Sequence, residues 1–336
     1  SCLLGPPLIG GNRVITLQNG GRIFPAMLAA IAGARSSVCF ETYIYWSGEI
    51  GARFTAALCD RARAGVPVHV VLDGVGTKLD EVQFAAMRSA GVQVERFHPL
   101  RLRFLGRINN RTHRKLLIVD GRIGFTGGVG IADQWQGDAE DAEHWRDVHF
   151  QVEGPAVAQM QAAFIDNWLK TRARLLHGDA YFPALTAVGS LSAQLFRSSP
   201  DEGAESVRLL YLLSIACARR TVRIASAYFV PDDLARDTLL SALRRGVCVQ
   251  IIVPGPLIDA PVTRRASRSR WGPILEAGAE IHEFQPTMFH CKVMIVDEVW
   301  TTVGSTNFDN RSFRLNDEAN LDIHDRDFAS EQIAAF

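Results

Sequence analysis

The octet HRKLLIVD, His113 to Asp120, returns later in the chain as HCKVMIVD, His290 to Asp297. The spacing does not slip: 290 − 113, 292 − 115 and 297 − 120 all equal 177. Other segments repeat in the same order. IAGARSSVCFETYIYW (31–46) aligns with IACARRTVRIASAYFV (215–230) at an offset of 184, and VPVHVVLDG (66–74) with VCVQIIVPG (247–255) at 181. GFTGG (124–128) faces TTVGS (301–305), again at 177. Order and chemistry persist while loop lengths drift, so the chain has to fold as two copies of one unit. The copies are expected at 1–190 and 191–336, joined through the aperiodic stretch HGDAYFPALTAVGSL (177–191).

Each copy reads as helix, strand, helix, strand and then a hairpin. Residues 51–65 carry apolar side chains at helical spacing and end at Gly65. The β-branched runs closed by Gly74 and Gly255 have the composition of central strands. Asp120-Gly121, between LLIV and RIGFTGG, signals a hairpin turn. Alternating strands and helices predict an α/β fold. At 336 residues roughly 75% of the unfolded surface can be buried, so the core needs no covalent staples. The six cysteines show neither CxxC nor zinc spacing and are expected to be reduced and mostly buried.

On a strand, alternate side chains share a face, so His113 and Lys115 are expected to project together, as are His290 and Lys292. A histidine can serve as nucleophile or general acid, and a lysine supplies positive charge for oxyanions. Two such strands meeting across a two-fold would set two histidines on opposite sides of one small anionic group. That suits in-line displacement at phosphorus, one histidine attacking and the other protonating the leaving oxygen. No nest of Asp, Glu and His suggests a metal, and the two lysines can supply the charge. No cofactor is expected.

Two HxKxxxxD motifs, each followed by GG or GSxN, resemble those of the phospholipase D superfamily. QPTMFHCKVMIVDEVWTTVGSTNFDNRSFRLNDEANLDI (285–323) is most similar to the second motif region of bacterial cardiolipin synthases. The resemblance implies the phospholipase D fold: two duplicated α/β halves with mixed β-sheets flanked by helices, related by a pseudo-two-fold, with one active site between them. It implies ping-pong phosphatidyl transfer through a phosphohistidine. By position His113 is the nucleophile and His290 the general acid, while Lys115 and Lys292 grip the non-bridging oxygens. Asn307, seventeen residues after His290, matches the family asparagine on phosphate; the first copy has Gly130 there instead. Gly128 and Ser305, equivalent in the two copies, are the other candidates for contacting substrate. Glu318, 28 residues after His290, and Asp147, 34 after His113, are expected to orient the histidine of their own half. Asp120 and Asp297 complete the motifs, with turn chemistry predicting a structural part for them.

Thirty-six basic residues balance thirty-six acidic ones, which argues against a generic nucleic-acid partner. Two local basic stretches remain. RLRFLGRINNRTHRK (101–115) interleaves six cations with apolar residues, and RRASRSR (264–270) carries four. Both fit an anionic lipid surface, with cations at headgroups and apolar residues at the acyl boundary. The expected partners are therefore anionic phospholipids and a membrane surface, with no obligatory protein partner and a monomeric chain. No run of 18 apolar residues and no signal peptide is visible, so a cytoplasmic protein, peripheral on the inner membrane, is expected. Transferase, water-using phosphodiesterase on lipid or nucleic acid, and inactive lipid binder all stay open at this point. The intact His and Lys pairs weigh against the last.

Overall fold

A computed structural model describes residues 5–99, 109–172, 174–199, 203 and 205–336. The first half runs β1 (Ile9–Gln18), α1 (Asn19–Gly33), β2 (Val38–Thr42), α2 (Glu49–Arg63), β3 (Val68–Asp73) and α3 (Glu81–Ser89). It continues with β4 (Gln93–Phe97), β5 (Leu116–Val119), β6 (Ile123–Gly127), β7 (Val148–Glu153) and α4 (Val157–Arg172). The second half opens with β8 (Leu191–Ser198), α5 (Ser206–Cys217), β9 (Thr221–Ser226), β10 (Phe229–Val230), α6 (Asp233–Arg244) and β11 (Cys248–Pro254). Then come α7 (Pro261–Arg268), α8 (Gly272–Glu276), β12 (Glu280–Phe284), β13 (Lys292–Val296) and β14 (Trp300–Gly304). β15 (Phe308–Asp309), α9 (Asn310–Arg314), β16 (Glu318–His324) and α10 (Arg326–Ala335) complete it.

Fourteen strands form one mixed sheet, ordered β12-β11-β9-β13-β14-β16-β8-β1-β7-β6-β5-β2-β3-β4. With β1 equated to β8, β2 to β9, β3 to β11 and so on, the order reads alike from both ends. The pseudo-two-fold passes between β1 and β8, which pair antiparallel through Ile9 and Ala193 and through Asn12 and Leu191. Where separate sheets were expected, the opening strands of the two halves therefore join them into one.

Local sequence accounts for the repeated unit. In α2, Ile50, Phe54 and Leu58 recur every fourth residue and are fully buried, while Glu49 in the first turn and Arg61 and Arg63 in the last suit the helix dipole. The neighbouring strands β2, β3 and β4 are parallel, so α2 and α3 serve as the crossovers that parallel pairing requires. β5 and β6 form the predicted hairpin, with Asp120 at φ 54° and Gly121 at φ 60°, as a type I′ turn needs. The second copy uses the same backbone at Asp297 and Glu298, with φ 53° and 60°.

Helices α1 to α3 cover one apolar core in the first half, and α5, α6 and α8 cover another in the second. A third core is shared. Phe150, Val152 and Phe164 from one half lie in one cluster with Leu195, Val293 and Leu321 from the other. This common packing holds the facing loops of the two halves in fixed register. No helix among the described residues is long and apolar enough to cross a membrane.

Candidate active site

His113 and His290 stand just ahead of strands β5 and β13, not on them as expected. The reason lies in their backbone partners. His113 N donates to Asp317 O at 2.9 Å, and His290 N donates to Arg146 O at 2.8 Å, each bond crossing from one half to the other. The neighbouring bridges, Thr112 with Asp317 and Arg146 with Phe289, are parallel and related by the pseudo-two-fold. The peptide groups that would have extended each strand are spent on joining the halves.

These bridges also exchange the carboxylates. Glu318 accepts from His113 Nδ1 through both oxygens at 3.0 Å, and Asp147 Oδ2 accepts from His290 Nδ1 at 2.7 Å. The expectation that each acid serves the histidine of its own half is corrected: the pairs are crossed. Residue counting pointed to the acids but could not show the exchange, because Asp147, just ahead of β7, and Glu318, the first residue of β16, both lie at the junction between halves.

Each carboxylate is itself fixed, and the two halves do it differently. Ser305 Oγ donates to Glu318 Oε2 at 2.5 Å. Gly128 is its equivalent, and a Cβ there would lie 2.2 Å from Asp147 Oδ1. With no hydroxyl at that place, Trp135 Nε1 donates to Asp147 Oδ2 at 2.9 Å and Val148 N to Oδ1 at 2.8 Å. Gly128 and Ser305 therefore sit behind the carboxylates and do not line the pocket, contrary to the substrate contacts expected of them. Asn307 does line it, with its Oδ1 buried and unpartnered. A Cβ on Gly130 would come 2.8 Å from Ile44 Cβ, so the first half has no room for a second asparagine.

The pocket holding both histidines has a volume of about 470 Å³, and Lys115, Tyr43 and Trp145 also line it. The ring of His113 meets Tyr43 edge-on at 5.3 Å, while His290 lies between Trp135 and Trp145 at 5.2 and 5.6 Å. Burial pushes His113 down to about 4, against the opposing charge of Glu318, and it also lowers His290. Burial would raise Glu318 and Asp147, but the facing histidines and lysines outweigh it and hold both below the ordinary range. Each pair is thus a neutral imidazole donating Nδ1–H to an ionised carboxylate, which turns Nε2 away from the carboxylate; Lys292 Nζ lies 3.3 Å from Nε2 of His290. Lys115 Nζ donates to His113 O at 2.8 Å, and Lys292 Nζ to His290 O at 2.6 Å. Desolvation brings Lys115 down to about 7 and lowers Lys292 as well, so an entering anion would favour the charged form of each.

Between His113 and Lys115, Arg114 points the other way and is fully buried. It donates to Ala163 O at 2.7 Å, Asp166 at 3.0 Å, Ser199 Oγ at 2.9 Å and Glu318 O at 3.3 Å. One side chain thereby ties helix α4 of the first half to the strand that carries Glu318. Arg111 is buried too, donating to His98 O at 2.9 Å with Asp73 3.7 Å away. These two cations belong to the interior, not to a lipid surface as the basic stretch suggested; residues 101–108 of that stretch lie outside the described residues. In the other stretch Arg264 and Arg268 share Glu283, and Arg270 shares Asp233 with Arg236, so its charge is partly neutralised.

Asp120 and Asp297 lie away from the pocket. Each carboxylate takes three successive backbone N–H groups, Arg35 to Ser37 in one half and Arg219 to Thr221 in the other, at 2.7 to 3.2 Å. They fasten the hairpin turn to the loop that leads into β2 or β9, the structural part that turn chemistry predicts. Cys39, Cys59 and Cys291 are buried, whereas Cys217 and Cys248 are exposed; all five are free thiols. The rim of the pocket was missed by sequence reading. Trp135 and Trp145 lie in the loop that makes the first His-to-acid spacing six residues longer, and Lys78, Tyr228 and Asp259 carry no motif.

Comparison with known proteins agrees with this geometry. Residues 27–168 and 211–336 match the family described as cardiolipin synthase, PLD-like domain. The chain is 35% identical over 334 residues to a cardiolipin synthase of Geobacillus kaustophilus, covering 98% of this chain and 66% of that protein. It is 32% identical over 329 residues to a cardiolipin synthase of Staphylococcus aureus, covering 97% and 66%. It therefore spans just under two thirds of the length of these relatives. The crystal structure of phosphatidylserine synthase from Haemophilus influenzae superposes with a TM-score of 0.76 at 13% identity, covering 98% of this chain and 88% of that one. The duplicated fold, the paired HxK segments and these matches lead to one conclusion: this chain belongs to the cardiolipin synthase group of the phospholipase D superfamily.

Proposed function

We propose that this chain transfers a phosphatidyl group between phospholipids, with phosphatidylglycerol as donor and a lipid alcohol as acceptor, through a phosphohistidine. The observation that carries the reading is the crossed pairing. Both histidines reach one pocket with Nδ1 held by a carboxylate of the other half, and Lys292 Nζ lies 3.3 Å from Nε2 of His290.

His113 Nε2 attacks phosphorus while the bond to the leaving oxygen breaks. His290 passes its Nε2 proton to that oxygen. An anionic phosphodiester favours the protonated forms of the basic groups around it, so it helps Asp147 hold His290 protonated for this step and strengthens the hold of Lys115 and Lys292 on their charge. The acceptor hydroxyl then gives its proton to His290 as its oxygen replaces His113 on phosphorus. Asn307, with Lys115 and Lys292, supports the developing charge on the non-bridging oxygens. The chain supplies both histidines, so a monomer suffices. We read it as working peripherally on the inner membrane, from the cytoplasmic side, where such lipids are presented.

Incubation with phosphatidylglycerol vesicles, followed by mass spectrometry of the lipids, tests this. Diphosphatidylglycerol and free glycerol in equal amounts are expected. Phosphatidic acid alone would assign a hydrolase, and no turnover of any phospholipid would overturn the reading.

A further inference from the structure

The base of the pocket obeys the pseudo-two-fold, but its rim does not. Gly74 and Gly255 close the equivalent strands β3 and β11 at an offset of 181, and 259 − 78 is also 181. At this shared place one half puts Lys78 and the other Asp259, and both line the pocket. The rim thus carries opposite charges on its two sides.

Both side chains are exposed, and each is backed by an aromatic residue. Lys78 Nζ sits 4.3 Å from the ring centroid of Trp46, and no carboxylate pairs with it among the described residues. Such a seat is open to an anion. Asp259 accepts the Tyr228 hydroxyl on both oxygens, at 2.8 and 2.7 Å. Burial first, and then the charge of Asp259, pushes Tyr228 above its ordinary range, so the phenol remains a donor. The charge of Asp259 also favours the protonated forms of His290 and Lys292. A carboxylate facing a phosphodiester repels it, so its place here calls for a ligand that donates hydrogen bonds. An ionised carboxylate offers about four acceptor positions, and the phenol leaves at least two of them open.

We propose that Lys78 and Asp259 select the acceptor, a phosphoglycerol group whose phosphate is held at Lys78 and whose spare hydroxyl is held at Asp259 and Tyr228. This rests on the transferase reading and names the substrate chemistry of the same site. The phosphoglycerol can belong to a lipid headgroup or to a free phosphate ester. In either case the asymmetric rim admits it in one orientation.

Acceptor competition tests the pair. The chain is given a phosphatidyl p-nitrophenol donor in phosphatidylcholine vesicles with two alcohols at once, and the products are counted by mass spectrometry. Both alcohols divide one intermediate, so the product ratio is independent of how much enzyme is folded. Asp259→Asn is expected to lower the glycerol-to-butanol product ratio roughly tenfold, the loss of a hydrogen bond to a charged group. Tyr228→Phe should move it the same way. Lys78→Ala should leave that ratio alone and lower the glycerol-phosphate-to-glycerol ratio roughly tenfold. Repeating the second competition with phosphatidylglycerol in the vesicles identifies the source: an equal fall assigns a lipid headgroup, and an unchanged ratio assigns a free phosphate ester. Unmoved ratios in all the variants, or equal movement of both ratios by each, overturn the acceptor assignment while leaving transfer intact. Phosphatidic acid as the sole product of the unaltered chain overturns the transferase reading, and the acceptor assignment with it.

Discussion

Glu318 places both carboxylate oxygens 3.0 Å from His113 Nδ1, although 205 residues separate them along the chain. Asp147 meets His290 Nδ1 through Oδ2 alone, at 2.7 Å. Each pocket histidine is thus borne by one half and hydrogen-bonded by the other. Neither half alone can pair its histidine with a carboxylate in this way, so both are needed to build the one pocket.

Residues that act as one unit are non-additive when removed. His113→Ala and His290→Ala should each lower kcat by at least about a thousandfold, and the double variant should fall little further. A single variant that kept about half of the turnover would describe two independent sites.

The pH dependence follows from the buried groups. His113 must be unprotonated to attack, so kcat/KM should rise as pH passes upward through about 4. His290 must carry its proton and Lys115 its charge, so kcat/KM should fall as pH rises, first through the lowered pKa of His290 and then through about 7 for Lys115. Lys115→Arg keeps its charge at all accessible pH, so the descent should lose its second step and keep the one set by His290. A descent that keeps both steps assigns the second to another group.

Gly128→Ala should damage chemistry more than folding. The new Cβ, 2.2 Å from Asp147 Oδ1, has to displace the carboxylate that orients His290. A loss of about a hundredfold in kcat is expected, with the melting temperature lowered by only a few degrees, as for modest overpacking.

Asp297→Ala should do the reverse. Three backbone N–H groups lose a charged acceptor, at about 1 kcal/mol each where water can partly replace it. A stability loss of about 2 to 3 kcal/mol is expected by denaturant unfolding, with kcat near normal well below the melting temperature.

Much of this was legible in the sequence. Equal offsets of 177 disclosed the duplication, and the two hairpins, the crossovers and the pair of HxK segments followed from local pattern. The crossing of the carboxylates did not. It depends on the backbone bonds from His113 to Asp317 and from His290 to Arg146, which form only when the two halves dock. The basic stretches misled for a related reason: Arg111 and Arg114 look like surface cations until tertiary structure supplies buried carbonyls and carboxylates. Lys78 and Asp259 escaped notice because a single charge after a strand has no signature until its counterpart is found across the two-fold.

Transfer through His113 requires a covalent intermediate on that residue, released with the help of His290. Asp147→Asn removes the charge that holds His290 as an acid and base and leaves the Glu318–His113 pair intact. With a p-nitrophenyl leaving group the first step needs little acid, so the second becomes slow and the intermediate accumulates. Rapid quench and peptide mass spectrometry should then find an acid-labile phosphatidyl adduct on the peptide containing His113. An adduct on the peptide containing His290 would exchange the two roles, and p-nitrophenol release with no adduct on either histidine would contradict the covalent mechanism.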